Sequence, residues 1–319
     1  MLKRYPITDS RLFGLNSKKR LASLLGIELP ELRKLVAQPD NYRVYTILQG
    51  NGRPREIEEP KPQMKRLHSR LAELLSRIAP PPYLHSGTKG RSYVTNAEAH
   101  VARGKVIKAD LSKFYPSTTH HHVFVGFLRE FKCSGDVARL IADICTYGGH
   151  VPTGSPASML AAFYSHKLIF DQLDRRLAAA GIRLTVYVDD LTMSGEILNR
   201  SHLCPIKKSF KSAGLKCHKV RCYGRRESSL VTGAMVTNDG LRLPNRRHLN
   251  IGDGFKRLGM ASSQEEIQTI SRKLLGQINE AASVEERSRR KLPGLRALIF
   301  RLSERERRSG VSSGGQQSI

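Results

Sequence analysis

The sequence Tyr187-Val188-Asp189-Asp190-Leu191 places two adjacent carboxylates directly after a strand-like run, residues 184–188. Neighbouring carboxylates repel each other, and near a buried strand they raise the free energy unless a cation neutralises them. An Asp-Asp pair is also common in surface turns. The pair alone therefore leaves two interpretations open, a surface turn and a cation site at the tip of a hairpin.

A third carboxylate stands in a similar position. Asp110 ends a second β-rich run, residues 105–109. Three carboxylates at the ends of neighbouring strands suit a pair of Mg²⁺ ions, because Mg²⁺ prefers oxygen ligands. Such a pair of ions supports in-line phosphoryl transfer. The sequence thus predicts a two-metal site formed by Asp110, Asp189 and Asp190, and the three residues together favour a cation site over a surface turn.

The charge of the chain points to a polyanionic partner. Among 319 residues, 54 are Lys or Arg and 28 are Asp or Glu, so the formal charge is +26. Such an excess on a non-repetitive sequence is typical of proteins that bind nucleic acid. The sequence contains no run of 18 apolar residues, and its first six residues lack the apolar core of a secretory signal. We expect a cytoplasmic protein with no membrane partner, whose five scattered cysteines are free thiols.

Hydrophobic periodicity divides the chain into four parts. Residues 1–40 contain two short amphipathic helices. Residues 41–243 mix strands and helices, which predicts an α+β unit. Residues 244–308 are predicted to form basic helices, and residues 309–319, rich in Ser, Gly and Gln, are expected to be disordered.

Within the α+β unit, turn and helix signals predict individual elements. A hairpin is expected around Gly50-Asn51-Gly52, and a long helix is expected from about Ala157 to Ala180 with Gly181 after its end. The other expectations are a helix over 64–78, a loop over 84–100, a helix through 124–131, a helix near 204–213, and strands near 220–223 and 230–233.

Three motifs, in their order along the chain, resemble the palm of a reverse transcriptase. They are Asp110-Leu111-Ser112-Lys113-Phe114-Tyr115-Pro116-Ser117, Pro152-Thr153-Gly154-Ser155-Pro156-Ala157-Ser158 and Tyr187-Val188-Asp189-Asp190. Gly214-Leu215-Lys216, followed by Lys219, is similar to the next palm motif. The resemblance implies an α+β right-hand polymerase fold. Fingers and palm would interleave over residues 41–243, with an antiparallel palm sheet packed on helices, and residues 244–308 would form a basic helical thumb.

Two shorter elements are similar to those of bacterial retron reverse transcriptases. Asn96-Ala97-Glu98-Ala99-His100 matches their N-A-x-x-H element, and Val231-Thr232-Gly233 matches their V-T-G element. This resemblance implies that the chain copies a cognate structured non-coding RNA into single-stranded DNA. Synthesis would begin at a guanosine 2′-OH of that RNA and give branched RNA–DNA (msDNA). A separately encoded effector protein and a role in anti-phage defence are also implied.

The resemblance assigns roles around the three carboxylates. Asp110 and Asp189 would hold both Mg²⁺ ions, with Asp190 assisting and the backbone carbonyl of Leu111 as a further ligand. Tyr115 would lie beneath the sugar of the incoming deoxynucleoside triphosphate, where a bulky ring excludes a 2′-OH. A plain core aromatic is the alternative role for Tyr115.

Four further residues are candidates for nucleotide binding. Arg55 offers a planar fork for phosphate oxygens, and Gly154 allows a close approach of the backbone. Lys219 is a candidate proton donor to the leaving pyrophosphate. Thr153 stands where the family usually has Gln, which predicts looser nucleotide handling or compensation by another residue.

The candidate RNA contacts lie in two regions. Asn96 and His100 are implied by the N-A-x-x-H resemblance, and a structural role in a buried loop is the alternative. Arg289, Arg290 and Lys291 form a basic run that is predicted to bind a folded RNA stem, since such stems are bound through phosphates, 2′-OH groups and shape.

Two other functions remain compatible with the sequence. One is another bacterial reverse transcriptase, of the group II intron or diversity-generating kind. The intron kind needs an added maturase or endonuclease region, for which the residues after Pro244 leave little room. The other is a catalytically weak polymerase relic that only binds nucleic acid.

Overall fold

The computed structural model describes residues 4–50 and 52–312, and side chains up to residue 305. Asn51 in the predicted hairpin turn and residues 313–319 of the predicted disordered tail lie outside the described residues. Among the described residues, no helix combines the length and the apolar character needed to cross a membrane.

The described residues up to residue 100 form four α-helices and one hairpin. Helices α1 (Lys18–Leu25) and α2 (Leu29–Ala37) pack their leucines into the main core. Strands β1 (Tyr42–Leu48) and β2 (Pro54–Pro60) pair as the predicted antiparallel hairpin. Helix α3 (Pro62–Ser76) follows, and then the short helix α4 (Tyr93–Glu98).

Helix α4 corrects the expectation of a loop over residues 84–100. Its N-cap is Ser92, whose side chain accepts hydrogen bonds from the amides of Val94 and Thr95. The Thr95 hydroxyl in turn accepts from the Ser92 amide, which completes a capping box. Six residues are too few to show a hydrophobic period, so this helix gave no periodic signal in the sequence.

A four-stranded antiparallel sheet forms the centre of the fold, with the strand order β4-β5-β3-β6. The strands are β3 (Lys105–Ser112), β4 (Arg183–Tyr187), β5 (Asp190–Gly195) and β6 (Lys216–Tyr223). On β3, Ile107, Ala109 and Leu111 are buried in the main core, whereas Lys108 and Asp110 alternate with them on the opposite face. This two-residue period leaves one face of the sheet for polar chemistry.

Helices cover the apolar face of this sheet. They are α5 (Phe114–Ser117), α6 (His120–Glu130), α7 (Gly135–Cys145), α8 (Ser158–Ala179) and α9 (Leu203–Ser212). Helix α8 matches the predicted long helix, and Gly181 follows it in the left-handed conformation with φ 66°. Helix α7 has no counterpart in the sequence-based expectations, although most of its side chains are buried. The predicted α+β architecture, with an antiparallel sheet packed on helices, is confirmed.

The C-terminal part begins with a small sheet. Strands β7 (Ser229–Val231), β8 (Ala234–Thr237) and β9 (Gly240–Arg242) are antiparallel neighbours. Helices α10 (Asn245–Gly259), α11 (Gln264–Val284) and α12 (Lys291–Ser312) then pack around a separate core. Helix α12 includes residues 309–312, which were expected to be disordered. The preceding Glu/Arg-rich stretch has high helix propensity and explains the continuation.

Four histidines are buried in the part of the fold that surrounds the central sheet. Burial lowers the pKa of His68 and His85 to about 4 each and lowers the pKa of His100 and His166 to about 3 each, from the usual 6.5. Each group therefore stays neutral in the folded chain while its unfolded counterpart takes up a proton below pH 6.5. Stability contributed by the neutral histidines is present above pH 6.5 and is lost as the pH falls toward 3–4.

We expect the free energy of unfolding to decrease as the pH falls below 6.5. The substitution His100→Gln should make this dependence on pH less steep. One proton fewer corresponds to at most about 1.4 kcal/mol per pH unit. Urea unfolding at pH 7.5, 6 and 5 measures the slope. His121→Gln is the matched control, since His121 is exposed. Equal slopes in wild type and His100→Gln would show that His100 is accessible to protons in the folded chain.

Candidate active site

The predicted hairpin tip forms at the junction of β4 and β5. Tyr187 pairs with Asp190, so Val188 and Asp189 are the two turn residues. Val188 has φ 59°, a left-handed conformation that is unfavourable for a β-branched residue. Its amide donates to Ser86 Oγ at 2.9 Å, and the Leu111 amide donates to the Asp189 carbonyl at 2.8 Å. The Ser86 hydroxyl and the Leu111 amide thus hold the strained turn that carries Asp189. Strained turns of this kind are often found at functional sites.

The register of the central sheet brings the three predicted carboxylates together. Asp110 on β3 lies directly opposite Asp190 on β5, one residue from the turn that carries Asp189. Burial raises the pKa of Asp189 to about 6, and the nearby carboxylates of Asp110 and Asp190 add to the rise. Burial also raises the pKa of Asp190, against the opposing effect of Lys108. The buried carboxylates of the site therefore favour cationic partners.

A β-bulge directs two basic residues at Asp110. The β3–β6 register shifts between Lys108 and Asp110, and Lys219 in β6 has φ 49°. Lys219 Nζ lies 3.2 Å from Asp110 Oδ2, and His218 Nδ1 lies 3.0 Å from Asp110 Oδ1. Bulges often re-aim side chains in this way. Sequence reasoning missed His218, although its place one residue before Lys219 in a predicted palm motif was a usable signal.

An open cleft of about 790 Å³ lies beside the carboxylates. Tyr115 borders it from α5, and burial raises the pKa of its hydroxyl to about 12. Arg55 borders it from β2 and acts electrostatically on both Tyr115 and Asp189. Other residues along this cleft include Lys113, His150, Thr153, Asp189 and Asp190. The cleft thus combines cationic, aromatic and acidic groups from separate parts of the chain.

Thr153 joins the loop before α8 to the hairpin strand β2. Its hydroxyl donates to the Glu56 carbonyl at 2.8 Å, and its amide donates to the Glu58 carboxylate at 3.2 Å. The hydroxyl of Thr153, which stands where the resembled reverse transcriptases usually have Gln, therefore has a hydrogen-bond partner. Through this bond the Thr153 side chain joins the cleft wall to β2.

Glu58 and His150 are cleft residues that sequence reasoning missed. The Glu58 carboxylate is buried, and its Oε1 lies 3.0 Å from His150 Nε2. The same carboxylate accepts the Thr153 amide, so it connects β2 with two positions of the loop before α8. A buried carboxylate has to be satisfied by such partners. The glutamates of β2 follow one another closely in the sequence, so nothing there singled out Glu58.

The ligand preferences of Mg²⁺ bear on this site. Within residues 4–50 and 52–312, no three His, Cys, Asp or Glu side chains form a ready metal centre. The donors nevertheless fit in kind, because carboxylate oxygens are the ligands that Mg²⁺ prefers. Burial raises the pKa of Asp189, and a cation held by these carboxylates would oppose that effect.

The two retron-like elements lie against each other in the structure. Asn96 Nδ2 donates to Thr232 Oγ1 at 3.2 Å, which connects N-A-x-x-H with V-T-G. His100 is buried, and its two ring nitrogens lie 2.7 Å from the hydroxyls of Ser194 and Thr185. Asn96 is buried as well. Burial of both side chains favours the alternative of a structural role, and direct contact of Asn96 and His100 with RNA stays a prediction.

The basic run of the C-terminal part is accessible. Arg289 and Arg290 are exposed in a 3₁₀ turn, Glu286–Arg290, and Lys291 begins α12. Arg289 Nε pairs with Glu286 Oε1 at 2.9 Å. Their use in RNA binding stays a prediction.

Curated relatives of this chain share one description. No protein-family model matches the chain. The retron Ec86 reverse transcriptase of Escherichia coli is 25% identical over 291 residues, which cover 87% of this chain and 88% of the relative. The chain is similar to the retron reverse transcriptases.

Two other relatives match over shorter regions. The retron Se72 reverse transcriptase of Salmonella heidelberg (strain 579083-10) is 30% identical over 55% of this chain. The retron Mx65 reverse transcriptase of Myxococcus xanthus is 32% identical over 56% of this chain. The matches span about half the length of these two relatives, 47% and 48%.

Among solved structures, one similar chain is a foamy viral protease-reverse transcriptase in complex with double-stranded DNA. It is 16% identical, with a TM-score of 0.43, over 87% of this chain and 44% of that chain.

We expect Gly154→Ala to separate the cleft loop from β2. An added Cβ would lie 2.7 Å from the Glu58 carbonyl oxygen, closer than such atoms approach. The free energy of unfolding should fall by about 1–3 kcal/mol, as for other overpacked sites. Chemical denaturation measures the change. Gly135→Ala is the matched control, because a Cβ there meets open space at the start of α7. Equal losses in the two variants would show that the loop does not rest on β2 in solution.

Proposed function

We propose that this chain is a retron-type reverse transcriptase, an RNA-directed DNA polymerase. The observation that carries the proposal is the sheet register that sets Asp110 opposite Asp190, with Asp189 in the adjoining turn. The similarity to several named retron reverse transcriptases supports it. In this proposal residues 41–243 form fingers and palm, and the helices from residue 244 onward form the thumb.

The residues of the cleft take complementary roles in nucleotide binding. Arg55 binds triphosphate oxygens, since its planar fork matches phosphate geometry. Tyr115 stacks beneath the sugar and excludes a 2′-OH by size. Thr153 and Gly154 shape the wall through their contacts with β2. Lys219 leaves Asp110 to donate a proton to the departing pyrophosphate.

The three carboxylates provide the ligands for the cofactor. Asp110, Asp189 and Asp190 would hold two Mg²⁺ ions, with the Leu111 carbonyl as a further oxygen donor. Bound there, the ions would supply the positive charge that lowers the pKa of the attacking hydroxyl and neutralises the triphosphate. The strained turn at Val188 holds Asp189 in place before any ligand arrives.

The partner of this polymerase is a structured RNA encoded with it. The charge of +26 suits a folded RNA, and Arg289, Arg290 and Lys291 lie where a stem can reach them. We infer that synthesis begins at a 2′-OH of that RNA and yields branched RNA–DNA, as the two retron-like elements imply. A separately encoded effector would complete an anti-phage system.

Replacing Asp189 by Asn should abolish DNA synthesis without unfolding the chain. The amide keeps the size of the side chain but removes a charge that binds the metal ions. Extension of a primed RNA template with Mg²⁺ should fall about a thousandfold, the scale of losing a principal electrostatic stabiliser. Asp239→Asn, an exposed acidic residue near β9, is the matched control. Extension by Asp189→Asn at the wild-type rate would exclude the metal-ligand role.

Tyr115→Ala should admit ribonucleotides. Removal of the ring opens space beneath the sugar, and the ratio of ribonucleotide to deoxynucleotide incorporation should rise about tenfold or more, a typical scale for one pocket contact. Single-nucleotide incorporation kinetics measure the ratio. Tyr115→Phe, which keeps the ring, should retain the wild-type ratio. An active Tyr115→Ala enzyme with unchanged selectivity would show that the ring only packs against Phe114.

The product of the cellular reaction tests the priming step. RNA and DNA isolated from cells that express the chain with its adjacent non-coding RNA should stay joined after heating. An enzyme specific for 2′-5′ linkages should then release the DNA, because a 2′-OH primer creates a branch. DNA that always begins from a free 3′ end would reject the retron type of priming, and the proposed polymerase activity would stand.

A further inference from the structure

Three polar groups from separate elements meet where the C-terminal helices join the rest of the chain. Arg247 on α10 places its guanidinium over the Tyr93 ring, 5.4 Å from the ring centre. Arg247 Nη1 lies 3.0 Å from Glu280 Oε1 on α11 and 3.3 Å from the Tyr93 hydroxyl on α4. The Tyr93 hydroxyl donates to Glu280 Oε1 at 3.2 Å. Each group thus contacts both others, and we name this set the Arg247 joint.

The V-T-G turn lies in direct contact with this joint. Thr232 and Gly233 are the two turn residues between β7 and β8, with φ 44° and 96°. A β-branched residue is strained at positive φ, so Thr232 needs support. Its hydroxyl donates to the Tyr93 carbonyl at 3.0 Å and accepts from Asn96 Nδ2. The turn is thereby fixed to α4, the helix that carries Tyr93.

Gly233 makes room for the guanidinium. A Cβ at this position would lie 2.9 Å from Arg247 Nη2. Gly233 therefore satisfies two demands at once, a positive φ and a close approach of the Arg247 side chain. Helix α4 and the V-T-G turn form one platform, which Arg247 contacts through Tyr93 and Gly233.

The joint controls orientation more than stability. Arg247 and Glu280 are partly exposed, and ion pairs of this kind contribute little to stability. Helix α11 has 21 residues and is about 30 Å long. Because α10, α11 and α12 share one core, a small rotation at the joint moves the far end of the unit by several times more.

We propose that Arg247 is a positioning residue that seats the C-terminal helices on the platform formed by helix α4 and the turn Val231–Gly233. This proposal rests on the proposed polymerase function, because the position of the C-terminal helices matters only if they bind the primer and template. The joint sets the distance between the catalytic cleft and the basic run Arg289–Lys291, to which the proposed function assigns the nucleic acid. It also gives the buried Asn96 a role that requires no contact with RNA.

A charge-swap experiment tests this inference. The variants are Arg247→Glu, Glu280→Arg and the double swap, with Arg246→Glu as the matched control, an exposed neighbour with the same charge change. The measurements are kcat for a single nucleotide, KM for a preformed DNA primer on an RNA template, and product length. Arg247→Glu should raise KM for primer–template about tenfold and shorten the products, with kcat within about twofold of wild type.

The controls separate positioning from direct contact with nucleic acid. Arg246→Glu should have a much smaller effect, and the double swap should recover most of the lost affinity, since only the pairing between α10 and α11 is restored. Arg247→Lys should give an intermediate defect because Lys keeps the charge but lacks the planar group over Tyr93. Equal defects in Arg246→Glu and Arg247→Glu, or no recovery in the double swap, would overturn the proposal.

Hydrogen exchange provides a readout that does not depend on activity. Arg247→Glu should speed exchange of the amides in α4 and at Thr232–Gly233, Arg246→Glu should not, and the double swap should restore protection. Unchanged hydrogen exchange in Arg247→Glu would overturn the proposal that Arg247 positions the C-terminal helices. If the wild-type chain fails to extend primers yet shows this exchange pattern, the proposed function fails and the joint stands.

Discussion

The pairing of β3 with β5 is the constraint on which the candidate site depends. It sets Asp110 opposite Asp190 and brings the Asp189 turn within hydrogen-bonding distance of the Leu111 backbone. Burying carboxylates close together is unfavourable, and burial, with a smaller effect of Asp110 and Asp190, raises the pKa of Asp189. Burial of apolar residues on the other face of the same strands offsets this cost, at roughly 25 cal/mol per Å² of apolar surface. A slip of one residue would turn the carboxylates into the core, so the apolar face also fixes the register.

The cleft wall opposite the carboxylates depends on a different kind of contact. Thr153 and Gly154 hold the loop before α8 against β2 through hydrogen bonds and a close backbone approach. The buried Glu58 connects the same strand with His150 and with the Thr153 amide. These contacts hold β2 in place, and Arg55 on this strand borders the same cleft as Asp189. Thr153 therefore has a structural role, which the neighbouring sequence did not indicate.

The two retron-like elements acquire a common physical meaning in the fold. Asn96, His100 and Thr232 are tied to one another or to the central sheet by side-chain hydrogen bonds. Buried polar groups of this kind specify one arrangement, because each unmade hydrogen bond costs free energy. Arg247 and Glu280 extend the arrangement to the C-terminal helices. The N-A-x-x-H and V-T-G elements thus connect the catalytic sheet with the basic helical unit.

The sequence by itself determined the α+β architecture, the long helix before the Asp189 turn and the identity of the three carboxylates. These features depend on local periodicity, turn chemistry and short motifs, which are read along the chain. Helix α4 was missed because it is short, whereas α7 has polar residues at helical spacing, Asp136, Arg139 and Asp143, that were a usable signal. Only the tertiary structure decided that His218 and Lys219 meet Asp110, that Glu58 supports Thr153, and that Asn96 and His100 are buried. The physical reason is that such contacts join residues about 100 positions apart, and their distances depend on strand register and a bulge that no local pattern encodes.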